Sequence, residues 1–205
     1  MALTQTLADN FNDNSTNLTL WAIVTDGVSI VAESSQQLNL SLAANAVNSF
    51  AGYVSNATYD LTSSFSQVQL VAVSSGAVDT TLELEIDDSN KIGWTQNNGT
   101  LFAFYATTAL GFQSTSVAYN ASVHKWLRVR ESGGTTFWDY SINGINWTNL
   151  KSIANPIAVT SLLQSLVTFE NNSTPAPGTA IFDNFNILPP NFVGSMTFSG
   201  TLNRQ

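Results

Sequence analysis

The sequence contains no cysteine, a single histidine and few basic residues, and each shortage excludes a class of protein. Without cysteine there is neither a disulfide framework nor a zinc–thiolate site. Six Lys and Arg stand against fourteen Asp and Glu, which gives a formal net charge of −8. A duplex nucleic-acid binder needs a basic face, and an anionic membrane surface attracts basic segments. Neither nucleic acid nor a membrane is therefore expected as a partner.

Long apolar runs are also missing. No segment approaches the roughly 20 apolar residues of a membrane-spanning helix. Residues 1–10 lack the basic start and apolar core of a signal peptide. The sequence therefore predicts synthesis in the cytoplasm, or export by another route such as release of assembled particles.

Charged residues make up only 10% of the 205 residues, against roughly a quarter in ordinary globular chains. Solubility therefore depends on Asn, Ser and Thr, which compete for backbone hydrogen bonds and are poor helix formers in mid-segment. The length suits one all-β sandwich or two small domains. A helical protein is disfavoured.

The clearest strand signals lie between Lys125 and Thr148, where two alternating segments are joined by Gly133-Gly134 and a second reversal follows at Asn143-Gly144. Gly-Gly and Asn-Gly supply the positive φ angles that tight hairpin turns require. The first segment puts alternate residues on opposite faces, with Leu127 and Val129 on one and Trp126, Arg128 and Arg130 on the other. This pattern predicts a three-stranded antiparallel meander.

Turn signals recur every 8–12 residues along the rest of the chain, which is typical of a β-sandwich or barrel. Thr80–Asp87 alternates strictly, while Leu110–Tyr119 alternates only weakly. Val159–Glu170 is the one segment that also suits a short helix. The tetrad Asp-Asn-Phe-Asn occurs at both 9–12 and 183–186, and we expect the first and last strands to be neighbours with Phe11 and Phe185 facing inward.

The chain divides at Leu188-Pro189-Pro190, because proline cannot donate to a strand ladder. We therefore predict a β-sandwich domain at 1–188 and a C-terminal tail at 189–205. The tail is largely apolar, and an adjacent subunit would shield it. The predicted subunit contacts are Phe192, Val193, Met196, Phe198 and Leu202. A tail folded back on its own domain is the alternative.

Four motifs together resemble concanavalin A-like lectin/glucanase domains, in particular those of bacteriophage virion proteins and bacterial surface proteins. They are the Asx-rich segment 9–14, Trp-Leu-Arg-Val-Arg-Glu at 126–131, the Trp-to-Trp block at 138–148 and Phe-Asp-Asn-Phe at 182–185. The resemblance covers roughly residues 8–188. It implies an all-β jelly-roll sandwich of two antiparallel sheets, a fold often used for carbohydrate binding or adhesion.

Glucanases of this kind resemble one another in a strand carrying Glu-x-Asp-x-x-Glu. The nearest match here is Glu85-Ile-Asp-Asp-Ser-Asn90, in which Asn90 replaces the second acid and cannot donate a proton. A variant trio of Glu83, Glu85 and Asp87 is one interpretation. The favoured one is a solvated strand face paired with Arg128 and Arg130, which predicts that the protein is not an enzyme.

The resemblance also suggests a structural calcium where the first and last strands meet. Asp9, Asn12, Asp13 and Asp183 could supply oxygen ligands. The alternative is that these Asx side chains cap their own loops. No cofactor is otherwise required. His124 is the only histidine and precedes a strand, so it is expected at the surface.

A glycan surface needs exposed rings flanked by planar donors. The candidate residues are Trp126, Arg128, Arg130, Trp138 and Tyr140. Because sandwiches bury most of their aromatic residues, Trp138 and Tyr140 are also candidates for the core.

These observations predict a non-enzymatic structural protein of a viral particle, a bacteriophage capsid decoration (cement) or tail-associated protein. Its expected location is the virion, assembled in the host cytoplasm, or otherwise extracellular. Its partners would be other virion proteins, copies of itself and a host-surface glycan. The alternatives are a carbohydrate-binding adhesion module and a glycoside hydrolase with an altered acidic motif.

Overall fold

The structure, a computed structural model, describes residues 1–189 and is built almost entirely of β-strands. A single 3₁₀ turn at Thr4–Thr6 is the only helix in this part of the chain, and none there is long or apolar enough to cross a membrane. The strands are β1 Trp21–Thr25, β2 Ile30–Ser34, β3 Gln37–Ser41, β4 Ser49–Ser55, β5 Phe65–Ala72, β6 Asp79–Asp87, β7 Asn90–Asn97, β8 Thr100–Thr107, β9 Gly111–Ala118, β10 Trp126–Ser132, β11 Thr135–Ser141, β12 Thr148–Ala154, β13 Leu163–Glu170 and β14 Thr179–Asp183.

The strands form two seven-stranded antiparallel sheets packed face to face. The first sheet has the order β1-β4-β13-β6-β7-β8-β9, and the second has the order β12-β11-β10-β5-β14-β3-β2. Half of the neighbouring strand pairs are distant in sequence, as in a jelly roll. The predicted fold class is confirmed.

The predicted meander is present as β10, β11 and β12 in the second sheet. Gly133 and Gly134, between β10 and β11, have φ angles of 59° and 79°. Gly144, between β11 and β12, has a φ of 70°. These are left-handed conformations that glycine adopts without steric cost, so the turn residues and the alternating pattern specify the same local structure.

The core lies between the sheets and is bridged by two tryptophans that donate in opposite directions. Trp94 of the first sheet donates its indole N–H to the Arg128 backbone oxygen of the second, at 2.9 Å. Trp138 of the second sheet donates to the Gly93 oxygen of the first, also at 2.9 Å. Both side chains are fully buried. This reciprocal pair fixes the position of β7 against β10 and β11.

The two Asp-Asn-Phe-Asn tetrads meet as predicted. Asp9 and Phe185 form an antiparallel bridge, with the Asp9 N–H 2.9 Å from the Phe185 oxygen. Phe11 and Phe185 are both fully buried, and Phe185 packs edge-on against Trp21 with ring centroids 5.2 Å apart.

The structure differs from two local predictions and explains a third pattern. The helical alternative for Val159–Glu170 is wrong, because Leu163–Glu170 forms β13 between β4 and β6. The weak alternation of Leu110–Tyr119 reflects an edge strand, β9, in which seven of eight residues are exposed. The predicted surface position of His124 is also wrong: it is 4% exposed, and its Nδ1 accepts the Asn120 N–H at 3.0 Å.

The subunit contacts predicted in the tail lie outside the described residues, which end at Pro189. They are Phe192, Val193, Met196, Phe198 and Leu202.

The indole pair leads to a stability prediction. Trp94→Phe or Trp138→Phe should each lower the free energy of unfolding by about 1–3 kcal/mol, because a buried carbonyl loses its donor. Urea denaturation measures this loss. Trp147→Phe is the control, since Trp147 is only half-buried and lies outside the core. Equal losses in all three variants would contradict the role of the inter-sheet hydrogen bonds.

Candidate functional site

The outer face of the first sheet carries a cleft centred on β6, the middle strand of seven. Leu82 and Leu84 of β6 point into the core, so the alternate residues point outward. The cleft has a volume of about 310 Å³. It is lined by Asp79, Thr81, Glu83, Lys91, Thr95, Phe104, Phe112 and Phe169.

A glycine allows an aromatic ring to approach the acidic strand. Gly93 of β7 lies opposite Glu83 on one side and Phe104 on the other. A Cβ at Gly93 would lie 2.3 Å from the Leu82 oxygen and 3.0 Å from the Phe104 ring. The Phe104 ring therefore occupies the space over Gly93, next to Glu83, and Phe112 stacks on it at 5.3 Å. Together these rings form an apolar wall.

This wall changes the acidity of Glu83, which is only 8% exposed although it is on the outer face. Burial raises the pKa of Glu83 to about 7, against an ordinary value of 4.5. The Lys91 ammonium, 3.4 Å from the Glu83 Oε2, acts in the opposite direction, and the neighbouring Glu85 carboxylate raises the pKa further. Near neutral pH, Glu83 can therefore hold or release a proton.

A further carboxyl lies at the other end of the cleft. Burial raises the pKa of Asp79, and its Oδ1 accepts a hydrogen bond from the Thr95 hydroxyl at 3.0 Å. Thr81 donates in turn to the Thr95 oxygen at 2.9 Å. Thr95 and Thr81 thus hold the Asp79 carboxyl in place by hydrogen bonds. The carboxyls of Glu83 and Glu85 are neighbouring acidic groups on the same face of β6.

This arrangement suits general acid–base chemistry. Glu83 is an acid whose pKa is near neutrality, and Glu85 is a more exposed carboxyl on the same strand face. Two carboxyl groups in unequal environments can take different roles, one donating a proton and the other acting as its ionised partner. Glu83 in the cleft lining and Glu85 two residues further along β6 therefore provide the two carboxyl groups of such chemistry.

The acidic motif at 85–90 begins on β6 but extends through the turn into β7. Asp87 Oδ1 accepts the N–H groups of Ser89 and Asn90, each at 2.9 Å, and caps the turn between β6 and β7. These hydrogen bonds lower the pKa of Asp87, so it is unsuited to donate a proton. The variant trio therefore reduces to Glu83 and Glu85.

The predicted pairing of this acidic face with Arg128 and Arg130 is wrong. Both arginines lie on β10 in the second sheet and bind Asp139 Oδ2 there, at 2.8 and 2.7 Å. Arg128 stacks over the Trp147 ring at 4.0 Å. The cation beside the acidic pair is instead Lys91 of the adjacent strand.

The predicted glycan residues are only partly accessible. Trp126 is 7% exposed and Trp138 is fully buried, so neither presents a ring face to a ligand. Tyr140 is half-buried and packs edge-on against His124, at 4.7 Å. Arg128 and Arg130 are also partly exposed, and Asp139 already binds both.

Asp9 and Asp13, two of the four predicted calcium ligands, already accept hydrogen bonds within the protein. Asp9 accepts the Phe11 N–H and the Trp21 indole N–H, both at 2.9 Å, and Asp13 accepts the Ser15 N–H at 3.2 Å. Asp9, Asn12 and Asp13 line one shallow cleft of about 470 Å³, whose lining does not include Asp183. Within residues 1–189, no three acidic, histidine or cysteine side chains are grouped as metal ligands.

Sequence reasoning missed the burial of Glu83. One signal for it was present, since Gly93 is an isolated glycine within a predicted strand, and such a glycine often marks a close approach of another group. The identity of that group, Phe104, depends on the pairing of β7 with β8.

Several solved structures with the same fold are glucanases. The endo-β-1,3-glucanase from Pyrococcus furiosus aligns with a TM-score of 0.68 and 8% identity, over 87% of this chain and 91% of that chain. The catalytic domain of a laminarinase from Thermotoga petrophila gives 0.66 and 7%, over 87% and 94%. SCLam, a non-specific endo-β-1,3(4)-glucanase from family GH16, gives 0.67 and 9%, over 87% and 88%.

No protein-family model matches the sequence, and no curated protein matches it. At 7–9% identity, the structural likeness establishes the jelly-roll fold alone. The interpretation as a non-enzymatic virion structural protein, a bacteriophage capsid decoration, is wrong, because these neighbours are glucanases.

The acidity of Glu83 leads to a pH prediction. Its pKa is higher in the folded than in the unfolded state, so the folded protein binds more protons between about pH 4.5 and 7. The stability from this group is full below that window and falls as the pH rises through it, by on the order of 1–3 kcal/mol. Urea denaturation from pH 4 to 8 should show this slope in the wild type and a smaller one in Glu83→Gln.

The matched control is Asp88→Asn, which changes an exposed carboxyl in the turn after β6. It should keep the wild-type slope. If Glu83→Gln also keeps it, Glu83 has an ordinary pKa in the folded protein.

Proposed function

We propose that the protein is a glycoside hydrolase that cleaves β-linked glucan chains in the cleft on the first sheet. The observation that carries the proposal is the pairing on β6 of Glu83, whose pKa is raised to about 7, with Glu85. Glycoside hydrolysis needs one carboxyl that holds a proton and a second that is ionised. The fold shared with the three glucanases supports the choice of substrate class.

Glu83 is the proton donor in this proposal, and Glu85 is the nucleophile. Glu83 gives its proton to the glycosidic oxygen as the bond from that oxygen to the anomeric carbon breaks, and the leaving sugar departs as an alcohol. Glu85 forms a bond to the anomeric carbon. Glu83, now ionised, takes a proton from water, whose oxygen displaces Glu85 and releases the second sugar product.

The spacing on the strand suits this assignment. Residues two apart on one strand face have Cα atoms about 6.6 Å apart. Their carboxyl groups can therefore adopt the roughly 5–5.5 Å separation typical of retaining enzymes. Phe112, 57% exposed at the edge of the cleft, offers an apolar ring face on which a sugar ring can pack.

The assay is release of reducing ends from β-1,3-glucan and mixed β-1,3-1,4-glucan. The wild type should hydrolyse at least one of them with retention of configuration, seen by NMR of the first product. Glu83→Gln and Glu85→Gln should each lower kcat/KM by at least about a hundredfold. Asp87→Asn, in the turn, is the control and should stay within a few-fold of the wild type.

Two results would reject the proposal. One is folded wild-type protein that binds these glucans without cleaving them, which would indicate a binding module. The other is hydrolysis that survives both glutamine substitutions.

A further inference from the structure

Lys91 is the cation beside Glu83 and Glu85, and its side chain contacts Glu83. Lys91 is directly opposite Glu85 in the β6–β7 register, whereas Glu83 is opposite Gly93. The Lys91 Nζ nevertheless lies 3.4 Å from Glu83 Oε2 and 3.5 Å from Glu83 Oε1. The lysine side chain thus extends diagonally from its register position opposite Glu85 and contacts both oxygens of the Glu83 carboxyl.

The other neighbours of Glu83 provide no competing positive charge. On β6 the titratable residues at alternate positions are Asp79, Glu85 and Asp87, all acidic. On β13 the residue opposite Glu83 is Ser165. The cleft residues from β8 and β9 are the rings of Phe104 and Phe112. Within the described cleft, Lys91 is therefore the single positive charge facing Glu83.

We propose that Lys91 is a positioning residue that holds the Glu83 carboxyl in the cleft and stabilises the negative charge that Glu83 acquires when it donates its proton. This inference rests on the proposed function. In the apolar environment beside Phe104, an isolated Glu83 carboxylate would be poorly solvated. The ammonium at 3.4 Å supplies the compensating charge, and its effect is larger after proton transfer than before it.

The geometry also separates the roles of the two acids. Because the lysine contacts Glu83, the carboxyl that gains charge during cleavage is the one with a cation in place. Glu85 is more exposed than Glu83, so water can solvate it and it needs no such support as a nucleophile. Lys91 would thereby make Glu83 a stronger acid than its burial alone permits.

Lys91→Met tests the role, since it keeps an unbranched side chain only one atom shorter and removes the charge, and Lys91→Arg is the control that keeps the charge. The titration of Glu83 is followed by carbon NMR of labelled glutamate carboxyls, with Glu83→Gln used to assign the signal. We expect the Glu83 midpoint to rise by about one pH unit or more in Lys91→Met and to stay near the wild-type value in Lys91→Arg. This readout needs no substrate.

The kinetic readout is the pH profile on the β-glucan that the wild type cleaves. In Lys91→Met the upper limb of kcat should move to higher pH, and kcat should fall by on the order of tenfold with KM little changed. Lys91→Arg should restore most of this loss. An unmoved Glu83 midpoint, or equal effects of both substitutions, would overturn the role of Lys91.

The two proposals fail in different ways. A wild type that hydrolyses glucan while Lys91→Met keeps the wild-type profile would overturn the role of Lys91 alone. A folded wild type that hydrolyses no glucan would overturn the proposed function and, with it, the part that Lys91 plays in the reaction.

Discussion

Two indole N–H groups, donated in opposite directions across the core, hold the central strands of the two sheets in register. Trp94 donates to the Arg128 oxygen and Trp138 to the Gly93 oxygen, each at 2.9 Å. Apolar packing between sheets is not directional and tolerates small shifts, whereas a buried hydrogen bond requires one geometry and leaves a costly orphan group when that geometry is lost. The relative position of β7 and β11 is therefore specified more tightly than hydrophobic burial alone would achieve.

Gly93 connects this core interaction to the cleft. Its carbonyl accepts the Trp138 N–H in the core, while on the outer face the space where a side chain would stand is filled by the Phe104 ring. That ring helps exclude water from Glu83, and the Lys91 ammonium contacts the Glu83 carboxyl at 3.4 Å. The inter-sheet register and the acidity of Glu83 thus both depend on Gly93. These two contacts compensate for the loss of side-chain packing that a glycine within a strand usually brings.

The fold could be predicted because alternation and turn residues are local features of the sequence. The cleft could not, because its chemistry depends on which strands pair with each other. Alternation and the glycine turns of 125–148 were enough to identify β10, β11 and β12. The same alternation on β6 places Glu83 on the outer face, but the outer face is not solvent at this point, because rings from β8 and β9 cover it. The predicted surface position of His124 was wrong for the same reason, because Tyr140, from a strand later in the sequence, covers the imidazole.

The ion pair in the cleft is hard to explain by stability. A partly exposed Lys–Glu pair contributes about 0–1 kcal/mol, and burying its acid incurs a desolvation cost that an apolar residue of similar size would avoid. Charged residues are rare in this chain and make up only 10% of it. Its other two ion pairs in residues 1–189 share a single acceptor, Asp139, and build an arginine–aromatic surface on the second sheet. A buried acid with a raised pKa, beside a second acid and a cation, is an arrangement that catalysis explains better than folding does.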